Sequence, residues 1–299
     1  MREQVDAFLN HLAVERGFSG NTIMAYRNDL YSLADYLGGE PSVIGWSDVS
    51  ADTLSGFVMQ LQDRGYSNTT RARKTAAMKS FFTFLVSEGG VTRSPAQEIV
   101  SPKVGRSLPK TLTEEEVERL LEAPRQLRTP DALRDAAMLE LLYATGMRVS
   151  ELTGLDLADV SLTAGHVRCR GKGARERLIP LHEGAVAVID HYARAGRPAL
   201  LQPNSHEQAL FLNRRGERLT RQGFWLILKQ YAELVVTGIP VTPHTLRHSF
   251  ATHMLQGGAS LRQVQEFLGH ASIASTQVYT HLSNEHIQLE YERAHPRGR

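Results

Sequence analysis

The stretch from Thr242 to His281 reads TPHTLRHSFATHMLQGGASLRQVQEFLGHASIASTQVYTH. Pro243 suits the first turn of a helix, so His244 and Arg247, three residues apart behind it, share one helix face. Both side chains can reach the same phosphate. Leu261, Val264, Phe267 and Leu268 then repeat at helical spacing up to the turn Gly269-His270, and Tyr279 follows nine residues later. Packing alone does not explain two histidines, an arginine and a tyrosine at these spacings. The pattern reads as half of a phosphoryl-transfer site acting on DNA, with Tyr279 as the candidate nucleophile.

Composition sets the frame for that reading. The 299 residues suffice for two domains with separate cores, and 41% apolar with 22% charged residues is ordinary for a soluble protein. No apolar run approaches the roughly 20 residues that span a bilayer, and Met1-Arg2-Glu3-Gln4 lacks the apolar core of a signal peptide, so the cytoplasm is the expected compartment and no membrane partner is expected. The single Cys169 excludes an intrachain disulfide and a multi-cysteine zinc site; packing in a strand is its expected role. A net charge of +2 does not by itself suggest a nucleic-acid partner, so the position of the basic residues matters more than their sum.

Outward from the opening stretch, Leu219 to Val236 reads as a helix with Phe224, Leu228 and Tyr231 inward and Arg221, Gln222 and Lys229 outward, a groove-reading helix or an ordinary surface one. Gly165 to Leu181 reads as a hairpin with strands His166–Arg170 and Arg175–Pro180 and Lys172 at a glycine-flanked tip; alone, such a lysine reads as solvent-exposed. The helix from Asp131 to Thr145 is apolar enough to be buried and stops at Gly146. Arg148 then begins a short helix three residues before Glu151, which would orient it or another basic group; alone, Arg148 reads as an ion-pair member.

Further toward the N-terminus, Thr113 and Glu116 form a capping box, and Ser94–Thr111, with three prolines, reads as a linker whose Lys103, Arg106 and Lys110 can touch phosphates. Before it the apolar pattern gives four helices and no strand. They begin with Val5, Phe8, Leu9 and Leu12, then behind Ser19, from Ala51, and behind Ser67. On the fourth, Arg71 and Lys74 extend the stripe of Met78, Phe81, Phe82 and Leu85. This reads as two basic turns projecting beyond the core toward a polyanion, with Arg73 pointing elsewhere, or as a solvated helix end.

Taken in order, Ala144-Thr-Gly-Met-Arg148-Val-Ser-Glu-Leu152, Gly171-Lys172-Gly173, His244-Thr-Leu-Arg247-His248, Leu268-Gly269-His270 and Tyr279-Thr-His281 resemble the motifs of the tyrosine recombinases, or phage integrase family. More narrowly the chain resembles the Xer branch, and the expected lack of an additional N-terminal arm-binding domain favours that branch over a phage or mobile-element integrase.

The resemblance implies a mainly α protein. Residues 1–106 would form a four-helix, SAM-like core-binding domain that binds DNA, and residues 107–299 an α+β catalytic domain with a small antiparallel sheet. It also implies roles. Tyr279 attacks the phosphate to give a 3′-phosphotyrosine, Arg148 and Arg247 clamp the nonbridging oxygens, and His244 takes the tyrosine proton or holds the phosphate. His270 donates another hydrogen bond, Lys172 protonates the 5′-oxygen, and Glu151 supports from behind. Arg71, Arg73, Lys74, Arg221 and Lys229 are candidates for DNA binding.

No cofactor and no metal are expected. His244 and His248 are four apart, but Thr245 follows the first histidine where a zinc motif has an acid, and His248 and His253 read as structural. The implied partners are double-stranded DNA with a dif-like site, the chain itself or a paralogous recombinase in a tetramer, and a DNA translocase as activator. The helix near Asn284 to Arg293 is expected to pass to a neighbouring subunit, with packing on its own domain as the alternative. A noncatalytic architectural DNA binder is the competing class, opposed by the intact set of six catalytic-type residues.

Overall fold

The computed structural model describes residues 1–103, 111–170, 176–203, 205–236, 238–269 and 284–298, with 284–287 described as backbone alone. The chain divides into two compact units, Met1–Ser107 and Leu108–Arg299.

The first unit is built from α1 (Arg2–Val14), α2 (Gly20–Leu37), α3 (Ala51–Asp63) and α4 (Asn68–Ser87), with no strand among its described residues. Three of the four starts are written in the sequence. The hydroxyls of Ser19, Ser50 and Ser67 accept from the backbone N–H of Thr22, Thr53 and Thr70, each cap contributing roughly 1 kcal/mol. Phe8, Leu30, Phe57, Phe81 and Phe82 fill the core. Trp46 meets Phe81 edge-on at 4.7 Å, and its ring N–H donates to the carbonyl of Met1 at 3.0 Å.

Two expectations fail here. The basic turns of α4 do not project beyond the core: Lys74 is buried, with its Nζ 3.2 Å from Oδ1 of the buried Asp29, and Arg73 pairs with the other oxygen. An unpaired charge inside would cost about 3–5 kcal/mol, so Asp29 on α2 draws both cations to itself. Arg71 donates to Gln62 and Asn68 at 2.5 and 2.7 Å. Nor does a linker begin at Ser94, because Ala96 and Ile99 are buried in the first core. Arg106 and Lys110 lie outside the described residues.

In the second unit, α5 (Glu114–Glu122) opens on the expected box, with Thr113 Oγ1 accepting from Glu116 N and Glu116 accepting from Thr113 N. It packs on α6 (Pro130–Thr145), which is buried along almost its whole length and ends at Gly146 with φ 57°. That residue must be glycine, since a Cβ there would stand 2.2 Å from the ring of Phe250. After α7 (Val149–Gly154) come β1 (Val160–Ser161), β2 (His166–Arg170) and β3 (Glu176–Pro180), antiparallel in that order. Val167 pairs with Ile179 and Cys169 with Arg177, so Arg177 shares the inward face of the sheet with three buried residues. Cys169 packs in β2, and burial pushes its thiol up to about 12.

Four segments follow: α8 (Glu183–His191), α9 (Arg197–Leu200), α10 (Arg221–Val235) and α11 (Pro243–Gln256), and then α12 (Leu261–Leu268) and α13 (Asn284–Ala294). Phe224, Leu228 and Tyr231 of α10 point inward as the pattern predicts. Buried His253 on α11 pairs through Nδ1 with the hydroxyl of Tyr143 at 2.8 Å, a structural role, and His248 is half-buried.

In the single chain α13 is seated on its own unit. Tyr291 is fully buried with its hydroxyl donating to Ala144 O at 2.9 Å, while Leu289, two residues earlier and so on another side of the helix, is exposed. Behind it His295 stacks on His182 at 5.0 Å and on Tyr291 at 5.1 Å, and Arg297 pairs with Glu140 at 3.1 Å and with Glu118.

Burial, and then the neighbouring His182, push His295 down to about 3. The unfolded chain therefore binds a proton below about 6.5 that the folded chain refuses until about 3. Each pH unit lost in that window costs roughly 1.4 kcal/mol. Urea unfolding at stepped pH should show that extra fall in the wild-type chain and lack it in His295→Phe; parallel acid limbs would remove the assignment.

Candidate active site

A helix ends with carbonyls that have no helical partner and carry the negative end of its dipole. At α12 three of them are met by three arginines from three different elements. Arg177 of β3 donates from Nε to Phe267 O at 2.9 Å, and Arg247 of α11 from Nη2 to Leu268 O at 2.7 Å. Arg148, the residue that caps α7, donates from Nη2 to Gly269 O at 3.2 Å. Arg247 also donates from Nη1 to Gly146 O at 2.6 Å, which ties the end of α6 to the end of α12. These contacts use two of a guanidinium's five N–H donors.

Glu151 sits among them. Its Oε2 accepts the backbone N–H of Arg148 at 2.7 Å, the capping bond of α7, while Oε1 takes Arg148 Nη1 at 3.2 Å. Arg177 forks onto both oxygens, at 2.9 and 2.8 Å. Burial works to raise the Glu151 acid, yet the Arg177 hydrogen bonds and the Arg148 N–H hold it below the usual carboxylate range. Burial and then the charge of Arg148 push Arg247 down to about 10, so it remains protonated at neutral pH. The result is a patch in which cations outnumber the one carboxylate.

His244 stands exposed in the first turn of α11, behind Pro243 and the cap Thr242. It borders an open groove with Val149, Arg221, Gln222 and Trp225. The capped starts of α10 and α11 both reach this groove, Thr220 and Thr242 being on its wall, and helix N-termini favour anions. Lys229 lies farther along α10, over the ring of Trp225 at 5.5 Å.

Of the residues singled out in the sequence, Arg148, Glu151 and Arg247 are therefore in one cluster, with His244 and Arg221 in the adjoining groove. Arg71, Arg73 and Lys74 belong to the other unit. Lys172, His270 and Tyr279 lie outside the described residues. Among the described residues no three His, Cys, Asp or Glu side chains converge as a metal site would require, and no helix is long and apolar enough to cross a membrane. Sequence reasoning missed Arg177. The signal was available: in an alternating strand, an arginine in phase with Ile179 and opposite Cys169 must face inward and find a carboxylate.

Residues 110–286 match the phage integrase family, and residues 5–89 match the phage integrase N-terminal SAM-like domain. The chain is 52% identical over 299 residues to the tyrosine recombinase XerC of Roseiflexus castenholzii, covering all of this chain and 95% of that one. It is 44% identical over 296 residues to the tyrosine recombinase XerD of Oceanobacillus iheyensis, covering 98% of each. Among solved structures, the XerA recombinase aligns over 99% of both chains at 26% identity with a TM-score of 0.51. The lambda integrase(75-356) dimer bound to a COC' core site aligns at 19% identity over 91% of this chain and 95% of that one, with a TM-score of 0.70, a likeness of fold.

Gly269 is left-handed at φ 65°, and a Cβ there would lie 2.9 Å from Arg177 Nη1. Gly269→Ala should therefore destabilise the chain by about 1–2 kcal/mol from backbone strain alone, read as a lower urea midpoint. An unchanged midpoint would mean that neither the left-handed turn nor the guanidinium above it constrains this position.

Proposed function

The chain belongs to the phage integrase family as a tyrosine recombinase of the Xer kind, an enzyme that cuts and rejoins DNA at specific sites, and from that premise we propose how its residues share the reaction. Tyr279 attacks the scissile phosphorus and a 3′-phosphotyrosine forms as the bond to the 5′-oxygen breaks. That oxygen leaves with a proton from Lys172. Attack by another strand's 5′-hydroxyl reverses the step, and because a diester is exchanged for a diester no nucleotide cofactor is consumed. Arg148 and Arg247 bind the nonbridging oxygens, where planar, permanently charged forks suit the developing charge. His244 accepts the tyrosine proton or holds the phosphate, His270 gives a further hydrogen bond, and Glu151 orients Arg148.

One observation supports this assignment above the others: Arg148 and Arg247, about a hundred residues apart in sequence, meet at adjacent carbonyls of α12 beside the groove that His244 lines. Phenol ordinarily ionises near pH 10, and a cluster with more cations than anions lowers the work of making phenolate beside it. Arg221, on the groove wall, is suited to a DNA phosphate, with Lys229 farther along the same helix. Arg71, Arg73 and Lys74 would have to leave described partners to contact DNA.

The preferred biological reading is resolution of chromosome dimers at a dif-like site in the cytoplasm before cell division. The chain would work as a tetramer with itself or with a paralogous partner, with a DNA translocase as activator of that assembly. The first unit would bind DNA together with the second, their boundary lying near residue 106.

The test is covalent capture. A pool of nicked duplexes with a randomised core is incubated with the chain, and protein-linked DNA is recovered. Wild type should enrich a defined duplex that Tyr279→Phe does not capture. Failure of the wild-type chain to capture any duplex, or equal capture by Tyr279→Phe, would contradict the proposed chemistry.

A further inference from the structure

Glu151 is within reach of two arginines, and their engagement is unequal. Arg177 binds it with a two-point fork at 2.9 and 2.8 Å and is largely enclosed, with 16% of its side chain exposed. Arg148 makes one longer side-chain contact at 3.2 Å and keeps 46% of its side chain exposed. An arginine three residues from a carboxylate, in a short helix with nothing else to satisfy that carboxylate, would close on it as a fork of its own.

We infer that Arg177 is a positioning residue: by occupying both oxygens of Glu151 it keeps the carboxylate from capturing Arg148, and so leaves the exposed Arg148 guanidinium for the scissile phosphate. This rests on the reading of Arg148 as a phosphate clamp. Arg177 does not itself bind the phosphate. Its Nε is committed to Phe267 O at 2.9 Å, and its guanidinium lies over Gly269, where a Cβ would stand 2.9 Å from Nη1.

Charge balance supports the same role. Three guanidiniums against one carboxylate leave the cluster positive by two charges, which suits a phosphorane carrying two negative charges. Without Arg177 the surplus falls to one, and the remaining carboxylate faces the clamp directly. Because Arg177 sits on β3, it also ties the clamp to the strand that follows residues 171–175, so displacement of that strand would release Glu151 toward Arg148.

The experiment uses the full-length chain and the duplex that wild type captures, made with either the natural phosphate or a methylphosphonate at the scissile position. Single-turnover adduct formation is measured at saturating protein, and DNA affinity and urea midpoints are measured separately. Arg177→Ala should slow cleavage of the natural substrate on the order of 10²-fold with affinity unchanged. Adding Glu151→Gln should restore most of that rate, since a neutral amide does not capture Arg148. On the methylphosphonate, which lacks the nonbridging charge, the deficits of Arg177→Ala and Arg148→Ala should shrink together.

If Arg177→Ala shifts the urea midpoint, Arg177→Lys carries the comparison and should fall between it and wild type, keeping the charge without the fork. A wild-type rate for Arg177→Ala beside a slow Arg148→Ala would overturn the inference. So would a slow Arg177→Ala that Glu151→Gln does not rescue and that is equally slow on both substrates. A wild-type rate for Arg148→Ala would instead bring down the clamp reading beneath it.

Discussion

Phe267, Leu268 and Gly269 present their carbonyl oxygens at the end of α12, and each receives a guanidinium from a different element. This one requirement fixes much of the second unit. It brings the end of α6, the start of α7, the middle of β3 and the first turns of α11 to a common point. The charged groups proposed to hold a phosphate are thus assembled by backbone carbonyls, which attract cations without neutralising them.

Enclosing Arg247 beside two other arginines has an electrostatic cost: burial first, and then the charge of Arg148, push its proton affinity down. Glu151 offsets part of it. Placed at the third position of α7, it closes the cap on Arg148 N and turns its remaining capacity toward Arg177. The carboxylate is thus absorbed by the arginine of β3, while the more exposed Arg148, and Arg247, keep donors for a ligand. The same economy recurs at Asp29, which holds two cations of α4 inside the first unit.

Much of this was legible in the sequence because its causes are local. Serine and threonine caps, the left-handed Gly146, the alternation of β2 and the three-residue step from Arg148 to Glu151 each need only neighbours in the chain, and all are where the pattern puts them. What escaped has a distant cause. Lys74 sits on an apolar-to-basic stripe that looks like a projecting helix end, and only Asp29, 45 residues earlier, turns it inward. Ala96 and Ile99 read as linker because two apolar residues have no period, yet the first core reaches out to bury them. At the end of the chain Tyr291 and His295, four residues apart, fill the seat beside Ala144 and His182, a contact more than a hundred residues away in sequence. Arg177 is the instructive case, since its inward phase was readable but its partner Glu151 lies in a separate helix.

In the proposed mechanism the carbonyl end of α12 parks Arg148 and Arg247 for a phosphate while Arg177 stays with Glu151. The most direct measurement is a crystal structure of the chain on a cleavable duplex with Tyr279→Phe blocking the reaction. Donors of Arg148 and Arg247 should be found on the nonbridging oxygens of the scissile phosphate, with the Arg177 fork on Glu151 still in place. Arg148 closed on Glu151, or Arg177 turned out to the DNA, would contradict the account.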